Sequence, residues 1–150
     1  MDEKALVIAI ADEMERRQSR DNIKRTRELL EHYRIMRVFL STAISEATQI
    51  TEWQGLGLDE GDKLESVRAA RARTVLMMEH IKSALTELHK QCQKSKELHK
   101  YRALVLKYMK GLSNEEICEK LECGKASPPR WQKQMITELS MLLFGVNDRL

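Results

Sequence analysis

With 150 residues, 33% of them charged and a formal net charge of +3, the chain can bury one proper core, or a small domain plus an extended helical element. Only two prolines and six glycines interrupt it, the composition of a long-helix protein. The longest strongly apolar run, Ala5 to Ala11, is far short of the ~20 residues a spanning helix needs, and Met1-Asp2-Glu3 is an acidic start without a small-residue cleavage site, so no membrane segment or secretory signal is expected.

An N-terminal helix is predicted over about 3–18, where Leu6, Val7, Ile10 and Met14 share one face. Ser19 or Asp21 can cap the helix that follows. In that helix Leu29, Tyr33, Met36, Leu40, Ala43, Ala47 and Ile50 alternate spacings of four and three. Gly55-Leu56-Gly57-Leu58-Asp59-Glu60-Gly61 is a breaker-rich loop long enough to join two antiparallel helices. Beyond it Leu64, Val67, Arg71, Thr74, Met78, Ile81, Leu85, Leu88 and Cys92 form a heptad seam, with Arg71 its one charged member. Residues 21–53 and 61–95 thus read as a long helical hairpin. Two such helices bury one stripe each, leaving Leu6, Ile10, Val38, Phe39, Ile44, Val75 and Met77 to be covered. A homodimer through the hairpin is the preferred answer; a monomeric bundle closed by the first helix stands nearly level with it.

Charge is spread unevenly. Residues 46–65 are acidic, with Glu46, Glu52, Asp59, Glu60, Asp62 and Glu65 against Lys63 alone, whereas residues 66–110 and the stretch Arg16 to Arg27 are basic. Such runs are usually solvated helix faces. The cluster at 90–110, however, stands just before the next unit, where phosphate contacts would add salt-dependent affinity.

That unit, Tyr101 to Gly145, reads as a helix-turn-helix. Tyr101, Leu104, Val105 and Tyr108 line one face of a helix closed by Gly111 as its C′ residue. Ser113 opens a second helix, with Glu116 completing a capping box and Ile117, Cys118 and Leu121 forming the apolar face. Cys123-Gly124 supplies the turn, and a third helix runs through Trp131, Met135, Leu139 and Leu142. Off that stripe lie Lys125, Arg130, Lys133 and Gln134, side chains of the types that reach phosphates and base edges. The order of short helix, glycine-containing turn and basic helix places the third helix against a DNA groove.

GLSNEEICEKLEC, followed by S-P-P-R-W and a tail ending LLFG, resembles the sigma-region-4-like helix-turn-helix of phage transcriptional regulators of the ArpU and RinA types. The matching positions are Gly111, Leu112, Ser113, Glu116, Ile117, Leu121, Ser127, Arg130 and Trp131, and Cys118 stands where the family usually has Ala. The resemblance covers about forty-five residues strongly and the upstream ITEW segment, loop and long helix more weakly. It implies a DNA-binding transcription regulator in the cytoplasm of a bacterial host. One departure is Pro128-Pro129 in place of the family's V-Y pair. Proline disfavours helical geometry in the residue before it, so Ser127 is expected to be an extended N-cap, with the helix starting at Pro128 or Pro129. The expected contacts to double-stranded DNA are Arg130, Lys133 and Gln134, with Lys125 and Ser127 at the helix start. Ser113 and Asn114 could offer backbone N–H groups to a phosphate.

The expected fold is therefore all-α: residues 1–96 an N-terminal helix and hairpin, residues 97–150 the helix-turn-helix domain. No cofactor is implied. Cys92, Cys118 and Cys123 have no metal-site spacing and read as reduced, mostly buried thiols. His32, His80, His89 and His99 are scattered on predicted helices and read as surface residues, so no catalytic or metal site is expected. The competing class is a protein-interaction module, since sigma-region-4-like domains can also bind RNA polymerase.

Overall fold

The computed structural model describes residues 2–41 and 60–145, with side chains from residue 65 onward in the second stretch. The fold is all-α. Among the described residues the helices are α1 (Glu3–Glu31), α2 (Tyr33–Ser41), α3 (Glu60–Ser95), α4 (Leu98–Tyr108), α5 (Asn114–Leu121) and α6 (Ser127–Phe144). The expected loop at Gly55–Gly61 (all but its last two residues), the seam positions Ala43, Ala47 and Ile50, the side chain of Leu64, Ile44 and nearly all of the acidic run lie outside the described residues.

The first helix does not stop near Ser19. It runs unbroken for 29 residues and is capped by Asp2, whose carboxylate accepts the Ala5 N–H at 2.7 Å. Around residue 19 the chain is rich in Arg, Gln, Glu and Lys, which keep their rotamer freedom in a helix and propagate it. Gln18 also donates to Asn22 at 3.0 Å, one turn on. The break falls instead at His32, whose backbone N–H and ring Nδ1 both donate to the Glu28 carbonyl, at 3.1 and 2.6 Å. The helix expected from residue 21 is therefore the end of α1 followed by α2.

The hairpin seam is half right. Met78, Ile81, Leu85, Leu88 and Cys92 are buried, Val67 and Thr74 are half-buried, and Arg71 is exposed. Those buried residues meet Leu30, Tyr33 and Met36, but also Leu104 of α4 and Met135, Ile136, Leu139 and Leu143 of α6. The contacts place α2 on α3, whereas α1 lies chiefly on α6. The element that closes the bundle is thus α6, which packs on α1, α3, α4 and α5. A helix with Met135, Ile136, Leu139 and Leu143 buries a wider arc than one seam and takes the central place. Val38, Phe39, Val75 and Met77 stay exposed, as do Leu6 and Ile10.

At the far end of α3, Lys96 takes the left-handed conformation (φ 58°), and the Glu97 N–H reaches the Cys92 carbonyl at 2.8 Å. This Schellman-type ending turns the chain into α4. The core nevertheless runs across the expected 96/97 boundary, because Leu88 and Cys92 share it with Leu104 and Met135. His80 is not idle on the surface: its Nε2 donates to the Leu143 carbonyl at 2.9 Å, satisfying an orphan acceptor in the last turn of α6.

Candidate nucleic-acid interface

Helices α4, α5 and α6 form the expected corner. Gly111 has φ 73°, and the Leu112 N–H bonds back to the Leu106 carbonyl at 3.0 Å. A Cβ built at Gly111 would meet only the guanidinium end of the exposed Arg34 side chain, which can move aside, so the position is restricted by conformation. Ser113 then caps α5. Its hydroxyl accepts the Glu116 N–H at 3.2 Å, and the Glu116 carboxylate accepts the Ser113 N–H at 3.3 Å. The capping box is complete.

The turn into α6 differs from expectation. Its left-handed residue is Glu122 (φ 52°), just before the expected Cys123-Gly124 turn, and the Cys123 N–H bonds to the Cys118 carbonyl at 3.1 Å. Ser127 is the first residue of α6 and not an extended cap, since Ala126 before it is already in helical geometry and no side chain caps the helix. The Ser127 N–H bonds to the Gly124 carbonyl at 3.1 Å, which starts the turn early. Pro128 and Pro129 then occupy the first turn, where a missing N–H forfeits no intrahelical bond.

The buried side of α6 is Pro128, Gln132, Met135, Ile136, Leu139, Ser140 and Leu143. Trp131 sits at its margin, half-buried, edge-on to His99 with ring centroids 4.7 Å apart. Gln132 is the residue that sequence reading missed. Only 3% exposed, it donates from Nε2 to the Ala103 carbonyl of α4 at 3.3 Å and to the Asn114 side chain of α5 at 3.0 Å. One amide thereby joins all three helices of the corner.

The outward side carries Arg130 and Lys133, both exposed, with Lys125 exposed in the preceding turn. Neither Arg130 nor Lys133 has a carboxylate partner among the described residues. The other expected contacts are differently placed. Gln134 is half-buried and turned toward α4, accepting from Lys100 Nζ at 2.9 Å and donating to Glu138 at 3.4 Å. Lys100 also pairs with Glu97 at 3.0 Å, which withdraws it from the basic cluster at 90–110. Ser127 is half-buried, the Ser113 hydroxyl serves the capping box, and the Asn114 side chain is engaged by Gln132.

The electrostatics are polarised along the corner. The first turn of α5 holds Glu115 and Glu116, and exposed Glu119 and Glu122 follow. Carboxylates there offset the partial positive charge that would draw a phosphate to a helix N-terminus. Lys125 borders a shallow cleft with Glu115 and Glu119, so its charge is partly balanced across space. Compared with family models, with curated proteins and with solved structures, the chain matches none.

Proposed function

We propose that the chain is a phage- or prophage-type transcriptional regulator of the ArpU/RinA kind, acting in the cytoplasm of a bacterial host and laying the outward side of α6 in the major groove of double-stranded DNA. The observation that supports this reading most is the exposure of Arg130 and Lys133 one turn apart, unpaired among the described residues, on a helix held from behind by the core. Arg130 and Lys133 are the contacts to bases or phosphates, and Lys125 adds charge at the helix start. The side chains of Gln134 and Asn114 and the N–H and hydroxyl of Ser113 serve as supports, because they are committed to bonds within the corner.

Selection of genomic DNA fragments by the purified chain, followed by a salt titration, tests the reading. A specific fragment and a steep fall of affinity with salt are expected. Replacing Arg130→Ala and Lys133→Ala together should weaken binding about 10- to 100-fold and flatten the log–log salt slope by about one for each phosphate no longer neutralised. Its melting temperature should stay unchanged. No enriched fragment, or a double variant that binds as the parent does, would sink the assignment.

A protein-interaction role has its own supporting observation. Met141 and Phe144, 46% and 39% exposed, continue along α6 toward its C-terminus, and α5 presents exposed acids. A mixed apolar and charged surface suits a protein such as RNA polymerase. Capture of purified polymerase in the absence of DNA, abolished in Met141→Asp and Phe144→Asp, is the outcome expected of that alternative.

A further inference from the structure

Cys118 and Cys123 stand five residues apart at the end of α5. In an uninterrupted helix that spacing spans about 7.5 Å of rise alone, beyond the ~7 Å that a disulfide tolerates between Cα atoms. The fold removes the obstacle. Glu122 is left-handed (φ 52°), so the chain curls back and the Cys123 N–H reaches the Cys118 carbonyl at 3.1 Å. This is the longer closing bond of a Schellman ending, a motif that brings the side chains at its two ends together. That contact is ordinarily apolar; here both ends are thiols.

The side chains follow the backbone. Cys118 Sγ donates to the Gly124 carbonyl at 3.5 Å, which lays it over the Cys123-Gly124 step. Burial first, then the Cys118 thiol through its charge and a side-chain hydrogen bond, holds the Cys123 thiol above its ordinary pKa. Both thiols are half-buried, open to a small reagent, whereas Cys92 is sealed in the core with its Sγ 3.7 Å from Met135 Sδ. We propose that Cys118 and Cys123 are a redox-modification site, a dithiol that a low-molecular-weight disulfide such as oxidised glutathione converts reversibly into an intrachain disulfide. One cysteine thiolate attacks the reagent's S–S bond and expels one reagent thiolate. The neighbouring thiolate then attacks the chain's sulfur in the mixed disulfide and expels the second. The two protons of the chain's thiols end on the two released reagent thiols; the chain is oxidised by two electrons and the reagent reduced by two. Closure takes the Cys118 S–H from the Gly124 carbonyl, which keeps the Ser127 N–H at 3.1 Å, so the start of α6 retains its bond. The site stands whether or not α6 reads DNA.

The test is made on the full chain, folded and reduced, equilibrated in glutathione buffers of graded ratio, blocked with an alkylating reagent and digested with trypsin. Cleavage after Lys120 separates the two cysteines, so the bond is read as peptide 111–120 joined to peptide 121–125. That linked pair is expected in the parent, with the undigested mass still that of one chain. Cys118→Ser and Cys123→Ser should each stop at a mixed disulfide, gaining one glutathione on the remaining thiol. The closure constant should be about tenfold larger in the folded chain than in urea, because the turn raises the effective concentration of one thiol at the other. Equal constants in the two states overturn the proposal. So do thiols that stay unreacted, glutathione on both without a linked pair, or a bond found only between copies.

Discussion

The Gln132 amide donates to the Ala103 carbonyl and the Asn114 side chain from a site 3% exposed, so its removal leaves one buried and one part-buried acceptor without this partner. Gln132→Ala is expected to lower stability by about 1–3 kcal/mol, read as a fall in the urea midpoint with unchanged slope. The signal in the sequence is positional: residue 132 is four from Pro128 and four from Ile136, inside the stripe that the structure buries. Amides at such places look like surface residues until a partner is known. Cys92 is a residue-scale case of the opposite kind, apolar in behaviour as expected. Its Sγ lies 3.7 Å from Met135 Sδ, and burial, reinforced by Glu138 and Glu97, pushes the thiol above its ordinary pKa. Of the three cysteines, only Cys118 and Cys123 should react promptly with a thiol reagent in the native protein, Cys92 responding after unfolding.

Among the elements, α5 was readable at its start and unreadable at its end. Ser113 and Glu116 announce a capping box because the motif lives within four residues of chain, and Gly111 announces a left-handed position because only glycine enters it without strain. Nothing in a glutamate announces φ 52°, yet Glu122 adopts it to let the Cys123 N–H close on Cys118. Glu122→Gly should therefore stabilise the protein by about 0.5–1 kcal/mol, whereas Gly111→Ala should destabilise it by about 1 kcal/mol or more. Thermal melts of the two variants should shift in opposite directions. The double proline set the expected start of α6 at Pro128 or Pro129, one or two residues later than Ser127, where the helix begins. Its effect on Ser127 is a local preference, and the turn from Gly124 to Ser127 overrode it.

For the whole molecule, the decisive feature is one core shared by α1, α2, α3, α4 and α6. Leu139 sits in it with no exposure, so Leu139→Ala should cost about 2–5 kcal/mol. Because the core spans the 96/97 boundary, the full chain should unfold in one transition, with helicity and tryptophan fluorescence coincident. Two separated transitions would show instead that the helix-turn-helix unit is stable on its own.

Heptad and four-residue spacings are properties of adjacent turns, so the all-α class, the buried half of the α3 seam, the Gly111 stop and the Ser113 cap could all be settled along the chain. Which stripe covers which could not. Leu30, Met78, Leu104 and Leu139 carry interchangeable apolar chemistry at similar spacing, and only shape matching among helices far apart in the chain put α6 at the centre. That same packing chose which side of α6 is hidden. It left Arg130 and Lys133 exposed, drew Gln132 and Gln134 inward, and left the first half of α1 without a buried residue.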